Sequence, residues 1–366
     1  MKRILILSNH SFMLWKFRRE LIQTMLRSDM EVIIGVPFGD HIEDFRSLGC
    51  KMIDTPLDRR SINPLRDLKL LRQYRQILKD EKPDMVVTYS IKPNVYGGLA
   101  CRMAKIPYCA NVQGLGTAFQ SPAMAAIATF LYRIALKKAK TVFFENTGNA
   151  ELFLSRKVVK AAQQTILPGA GINLKHFTLQ PYPENDTVRF LYLGRLMKEK
   201  GMDELLDAIK MLYDDCYDVQ LDLVGFFEDS YKEQLDALEE LGIAKFHGFQ
   251  EDPRPFYAAA DCLVLPSYHE GMSNVLLEAA ATGRPLVTSF IPGCREAVDE
   301  GRTGFSCRPR DKYGLYEAMK KIAELSREER MEMGLSGRKM MEELFDKEIV
   351  VEDTMNAIFR ETPSAK

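Results

Sequence analysis

Short, almost continuously apolar runs alternate with longer amphipathic runs along nearly the whole chain, and this alternation restricts the fold more than any other feature. A strand buried on both faces reads as an unbroken apolar run, and alternation with helices is the pattern of a parallel sheet covered on both sides. In the first half, strands are expected at Lys2–Leu7, Glu31–Val36, Met85–Tyr89, Tyr108–Val112 and Thr141–Phe144. Helices are expected at Phe17–Ser28, Leu65–Lys79, Val95–Ala104 and Ala123–Lys138. Thr178–Asp186, with two prolines and no periodicity, reads as a linker. The pattern restarts beyond it with strands at Val188–Leu193, Val219–Val224, Lys245–Gly248, Asp261–Leu265 and Pro285–Thr288. Helices follow at Met202–Tyr213, Lys312–Leu325 and Glu328–Leu344, with a last one ending near Arg360. A length of 366 residues suits two domains. We therefore expect an amino-terminal domain over 1–178, a second over 187–344, and a terminal helix in 345–366 that crosses back to the first.

Two strand-to-helix turns in the second half carry the chemistry. Asp261–Leu265 leads through Pro266, Ser267, Glu270 and Gly271 into a helix that contains Glu278. Open α/β sheets bind ligands at the carboxyl edge of their strands, and a helix N-terminus there favours phosphate. A carboxylate at Glu270 would repel a phosphate unless a sugar hydroxyl lay between them. The alternative is that Glu270 and Glu278 are ordinary acids near a helix start, favoured by its dipole. About 70 residues upstream, Gly194-Arg195-Leu196-Met197-Lys198-Glu199-Lys200-Gly201 forms the second turn. Arg195 supplies a planar fork of donors and Lys200 a point charge, a pair suited to a diphosphate. The alternative for these two is a pair of solvated loop cations.

GRLMKEKG together with PSYHEGMSNVLLEAAATGRPLV resembles the donor-site signature of family 4 glycosyltransferases. The spacing of Glu270 and Glu278 matches that family, as do Pro266, Ser267, Gly271, Ala279, Gly283 and Pro285. The likeness extends to ENTGNA (145–150) and LPGAGINLKHF (167–177). SIKPNVYGGLACRMAKIP and NVQGLGTAF are similar to the subgroup that builds capsule, exopolysaccharide and lipid-linked oligosaccharides. The resemblance implies an α/β protein of the GT-B fold, two Rossmann-like parallel-sheet domains facing each other across a cleft. It implies a retaining, metal-independent hexosyltransferase that uses a nucleotide-sugar, a UDP-linked hexose or N-acetylhexosamine, with no resident cofactor. The acceptor it implies is a polyprenyl-diphosphate-linked saccharide. Arg195 and Lys200 would stabilise the departing diphosphate, Glu270 would hold donor-sugar hydroxyls, and Glu278 the ribose hydroxyls. Gly194, Gly271, Met272, Ser273, Asn274 and Val275 would complete the donor site, largely through backbone groups. Transfer would proceed on the front face, a donor phosphate oxygen helping to remove the acceptor's proton.

The amino-terminal half is less explicit. Family members often carry a glycine-rich first turn and a histidine in the loop after the fourth strand. Here the first turn is Asn9-His10-Ser11 and the later loop is Ser90-Ile91-Lys92-Pro93, with neither feature. His10, Tyr89 and Lys92 are the candidates for the missing role, and Gln113-Gly114-Leu115-Gly116 offers a small-residue turn at Gly114. Trp15-Lys16-Phe17-Arg18-Arg19 reads either as a basic helix face or as cations near an anionic acceptor.

Charge is divided between the halves. Residues 1–175 carry 27 Lys and Arg against 14 Asp and Glu, or +13; the remainder carries 23 against 37, or −14. A basic first half suits an anionic partner, while its charges could equally be solvated faces. No nucleic-acid-binding module is recognisable, and no apolar run approaches the ~18 residues of a membrane span. A cluster at Arg59, Arg60, Arg66, Lys69, Arg72, Arg75 and Lys79, edged by Leu65, Leu68, Leu71 and Ile77, is expected to meet an anionic membrane surface; the alternative is that those apolar side chains pack on the sheet while the basic side stays in water. Seven cysteines without a Cys-x-x-Cys pair read as reduced core thiols of a cytoplasmic protein, peripheral on the inner face of the plasma membrane. Two other readings are a nucleotide-sugar 2-epimerase of the same fold and a non-catalytic sugar-nucleotide-binding protein.

Overall fold

The computed structural model describes residues 1–57, 63–114 and 121–360. The chain divides into two compact units, one of Met1–Ala170 together with the chain from Val350 onward, the other of Gly171–Ile349.

Unit 1 runs β1 (Arg3–Leu7), α1 (Ser11–Arg27), β2 (Glu31–Val36), α2 (Ile42–Ser47), β3 (Lys51–Asp54), α3 (Pro64–Glu81) and β4 (Met85–Tyr89). It continues through a π turn at Pro93–Gly97, α4 (Gly98–Ala104), β5 (Tyr108–Val112), α5 (Pro122–Leu136), β6 (Thr141–Phe144), α6 (Thr147–Ser155) and β7 (Gln164–Ile166). The seven strands pair in parallel in the order β3-β2-β1-β4-β5-β6-β7. The expected strand bounds agree closely. The short elements α2, β3, α6 and β7 are not read from the sequence, because a few half-exposed residues carry no clear period. Local chemistry sets the helix starts. Asn63 caps α3, its Oδ1 accepting from the N–H groups of Leu65 and Arg66, and Pro64 follows at the first helical position. Helix α1 begins at Ser11 rather than Phe17, so Trp15–Arg19 lie within it. Helices α3 to α6 cover one sheet face around Tyr74, Tyr108, Tyr132 and Phe153. Helix α1 and the carboxyl-terminal helix cover the other, where Ile358 is fully buried.

Unit 2 runs β8 (Val188–Leu196), α7 (Met202–Asp214), β9 (Val219–Phe227), α8 (Lys232–Glu240), β10 (Ala244–Phe246), α9 (Arg254–Ala259), β11 (Cys262–Leu265) and α10 (Asn274–Ala281). It ends with β12 (Leu286–Ser289), β13 (Gly304–Cys307), α11 (Lys312–Glu324) and α12 (Arg327–Leu344), followed by α13 (Lys347–Phe359), most of which belongs to unit 1. Six parallel strands lie in the order β10-β9-β8-β11-β12-β13.

Residues 178–186 have no regular structure but are bound into unit 2. Tyr182 is buried, and its hydroxyl donates to the Asp261 carbonyl at 2.7 Å. Arg284, fully buried, donates to the carbonyls of Pro181 (2.7 Å), Tyr257 (2.8 Å) and Ala258 (2.9 Å). Burial pulls its pKa down to about 10, against the opposing pull of Tyr182 and Asp261. The break between the units therefore precedes the proline-rich segment, whose missing hydrogen bonds are supplied by a distant arginine. Six of the seven cysteines are buried, and all seven are free thiols.

Candidate functional site

In both sheets the strand order reverses at the first strand of the unit, between β1 and β4 and between β8 and β11. Loops leaving such a pair of strands open a crevice at the carboxyl edge. In unit 2 those loops are the two motifs singled out above, and their backbones touch. Gly201, with φ +73°, closes the first loop, and a Cβ there would lie 2.2 Å from the Pro266 carbonyl oxygen in the second. Gly293, with φ +89°, grips the second loop from its other side, where a Cβ would lie 2.3 Å from the Gly271 carbonyl oxygen. The Ser273 N–H donates to the Gly293 carbonyl at 2.9 Å, and Glu296 accepts from the Gly293 N–H at 2.7 Å. Gly293 is a structural member of the site that sequence reading missed, though its Pro-Gly turn after a strand was a usable signal.

This contact brings Lys200 and Glu270 together. Lys200 Nζ donates to Glu270 Oε1, which also accepts from Ser267 Oγ at 2.8 Å. Both charged side chains are mostly withdrawn from solvent, 20% and 15% exposed. Tyr268 braces the loop, its N–H donating to the Glu199 carbonyl at 2.9 Å and its hydroxyl to Glu204 at 2.7 Å. The Arg310 guanidinium lies 4.8 Å from the Tyr268 ring centre.

Arg195 is placed differently from the expectation. Strand β9 runs on to Phe227, so β8 stays paired through Gly194↔Gly225, Arg195↔Phe226 and Leu196↔Phe227. Gly194 and Arg195 are therefore strand residues rather than turn residues. Arg195 donates to Glu228, just past β9, and remains nearly half exposed. Tyr192 lies between the two charged centres. Its hydroxyl donates to the Arg195 carbonyl at 2.6 Å, and burial, reinforced by Glu270 and only partly offset by Arg195, holds its pKa well above the ordinary value.

Helix α10 starts at Asn274 with Ser273 as N-cap, and Val275 lies in its first turn. Leading N–H groups of an α-helix have no partner within their own helix. Glu278, buried one turn further, accepts from the Tyr257 hydroxyl at 2.8 Å. Burial, reinforced by Glu278, holds the Tyr257 pKa well above its ordinary value. Met272 turns its side chain into the core, leaving its backbone for the loop.

In unit 1 the loops after β1 and β4 are joined by a 2.7 Å bond from Ser90 Oγ to Asn9 Oδ1. His10 is the N-cap residue of α1, its ring 6.2 Å from that of Phe12. The Tyr89 hydroxyl is withdrawn from solvent at the end of β4. The residue is 2% exposed, the Arg18 guanidinium lies 5.3 Å from its ring centre, and burial raises its pKa to about 12. Lys92 is engaged by Asp67 at 2.8 Å. Arg18 is neither a solvated face nor an open cation, because it is buried against Glu145 at 2.7 Å. Gly114 follows β5, half-buried, while Leu115 and Gly116 lie outside the described residues, as do Arg59 and Arg60.

Comparison with known proteins accounts for both units. Residues 187–324 match the family described as "Glycosyl transferases group 1", and residues 3–146 match "Glycosyl transferase 4-like". The chain is 29% identical to the Campylobacter jejuni N,N'-diacetylbacillosaminyl-diphospho-undecaprenol alpha-1,3-N-acetylgalactosaminyltransferase, over 96% of each protein. It is 25% identical to the Staphylococcus aureus capsular polysaccharide biosynthesis glycosyltransferase CapM, over 92% of this chain and 91% of that one. The fold is similar to that of Anabaena HepE solved in complex with UDP, with a TM-score of 0.79 at 18% identity over 97% of this chain and 99% of that one. With a matching family on each of its two Rossmann-like units, the chain belongs to the family 4 glycosyltransferases of the GT-B fold.

Proposed function

We propose that this glycosyltransferase moves a hexose or N-acetylhexosamine from a UDP-sugar to a polyprenyl-diphosphate-linked saccharide, with retention of configuration. The observation that carries this reading is the Lys200–Glu270 pair beside the start of α10, at the strand-order reversal of unit 2. An ammonium and a helix N-terminus at one crevice suit the leaving diphosphate of a nucleotide-sugar, and the carboxylate beside them suits its sugar hydroxyls. Lys200 releases Glu270 to the sugar hydroxyls as it engages the diphosphate, and Arg195 adds the second positive charge. Glu278 serves the ribose, and backbone groups of Gly194, Gly271, Met272, Ser273, Asn274 and Val275 line the donor. In unit 1, His10 and Gly114 border the acceptor. The relative from Campylobacter is named for transfer to a diphospho-undecaprenol-linked saccharide, which supports a lipid-linked acceptor here.

No helix among the described residues is long and apolar enough to cross a membrane. We propose peripheral, reversible contact of unit 1 with an anionic membrane, consistent with its +13 balance over residues 1–175. A screen of UDP-sugars against polyprenyl-diphosphate-linked saccharides, read by mass spectrometry, tests the reaction. A product heavier than the acceptor by one sugar is expected. Release of an epimerised sugar without acceptor, or donor binding with no turnover against any acceptor, would overturn it.

A further inference from the structure

Unit 1 exposes an apolar helix face outside the loops of the candidate site. On α5, Ile127, Phe130 and Ile134 recur at helical spacing and are 55%, 58% and 36% exposed. The opposite face of the same helix, with Ala128, Tyr132, Ala135 and Leu136, is buried against the sheet. Met103, at the end of the neighbouring α4, is 56% exposed. The two helices are tied together by the Arg102 guanidinium, which donates to the Ile134 carbonyl. Large apolar side chains gathered on one face, unlike single scattered ones, mark an interaction surface.

The charge around this face identifies the partner. Between Asp84 and Glu145 the chain has no acidic residue and seven Lys and Arg; Lys92 is paired with Asp67 and Lys140 bonds the Ile358 carbonyl on the other sheet face, which leaves Arg102, Lys105, Arg133, Lys137 and Lys138 for this side. Arg133, Lys137 and Lys138 are exposed on α5 or just past its end. Arg133 is held by a 2.6 Å bond to the Arg156 carbonyl. An apolar stripe flanked by cations, on a helix that itself carries no carboxylate, is the composition of a helix lying in an anionic lipid interface. The α3 surface anticipated from sequence is less suited. Ile77 is buried in the core and Leu71 half-buried, so its exposed apolar side chains reduce to Leu65 and Leu68 at one end.

We infer that the exposed face of α5, through Ile127, Phe130 and Ile134 with Met103 beside it, is the surface by which unit 1 docks on an anionic bilayer. Phe130 and the two isoleucines enter the acyl boundary while Arg133, Lys137 and Lys138 meet lipid phosphates. This rests on the peripheral contact proposed above and gives it a location. Helix α3 supplies a basic but non-inserting surface on the same side of the sheet.

Sedimentation of the full chain with vesicles of phosphatidylcholine, alone or mixed with phosphatidylglycerol, tests the assignment. Wild type is expected to bind the mixed vesicles and to be released by salt. Ile127→Asp combined with Phe130→Asp should weaken that binding by about tenfold or more, the scale of removing two buried side chains from the interface. Leu65→Asp combined with Leu68→Asp should leave it nearly unchanged. Both double variants should keep the wild-type melting temperature and UDP affinity, because the altered side chains are exposed. Wild-type vesicle binding by the α5 variant, or its loss in the α3 variant alone, would overturn the inference. So would a wild-type dimer in size-exclusion chromatography that the α5 variant dissolves, since the face would then join two copies. Transfer to a detergent-solubilised acceptor separates the two claims. A chain that transfers sugar yet ignores vesicles sinks only this inference, whereas absence of transfer sinks the proposed function.

Discussion

Lys200 and Glu270 neutralise each other, and that governs how each substitution acts. Lys200→Ala removes a cation facing the diphosphate and also leaves Glu270, 15% exposed, without its counter-charge. We expect Lys200→Ala and Arg195→Ala each to slow transfer by about 10²–10³-fold, the scale for losing one preorganised charge-stabilising group. Initial rates at saturating donor measure this, and near-wild-type rates for both would remove them from leaving-group chemistry. The two glutamates should part company. Glu270→Gln keeps the shape of the loop but weakens hydrogen bonds to the sugar, so turnover should fall more than UDP affinity. Glu278→Ala should weaken UDP binding itself. Because Glu278 also accepts from Tyr257, Tyr257→Phe is the control for an effect that acts only through packing. Titration calorimetry giving wild-type UDP affinity for Glu278→Ala would end its assignment to the ribose.

Elements β8 and β11 place the site by lying side by side at the reversal of strand order, and two glycines set how close their loops come. Gly201 is in a left-handed conformation that costs a residue with a Cβ about 1–2 kcal/mol, and here the Cβ would also meet the Pro266 carbonyl. Gly201→Val should therefore lower stability by more than ~1 kcal/mol and displace Lys200 from Glu270. Thermal unfolding together with UDP titration reads both effects. An unchanged melting temperature with unchanged UDP affinity would show that the loops tolerate separation. Much of this element-level order was legible in advance. Strands Glu31–Val36, Met85–Tyr89, Tyr108–Val112 and Thr141–Phe144 carry the bounds read from their apolar runs. The start of α1 was not, because Ser11–Lys16 alternates no more clearly as helix than as loop until Leu14 is seen to pack inward.

For the molecule as a whole, charge has been divided between the two halves, and the second half carries the donor motifs despite its net negative balance. Local cations therefore have to do what the overall field does not. Where Arg195 and Lys200 supply the positive charge for the leaving diphosphate, transfer should persist in EDTA. Loss of turnover on chelation, restored by Mg²⁺ or Mn²⁺, would show that the leaving group depends on a metal instead. The division into units also departs from the place where composition changes. The break lies at Ala170/Gly171, ahead of the prolines, since Arg284 and Arg327 bind the carbonyls of residues 181–183 into unit 2.

The sequence by itself determined the alternation of strand and helix, the parallel sheets, and the residues of the donor loops, because burial on two faces and turn chemistry are written locally. Tertiary structure alone decided who meets whom. Glu145 neutralises Arg18, Glu228 engages Arg195, Asp67 engages Lys92, and burial withdraws the Tyr89 hydroxyl. Those pairings span 127, 33 and 25 residues, separations at which no periodicity survives. They arise because strand order, not chain order, determines which loops share an edge. The apolar face of α5 belongs to the same class: its residues were visible, but only the packed sheet distinguishes the side that is covered from the side left bare.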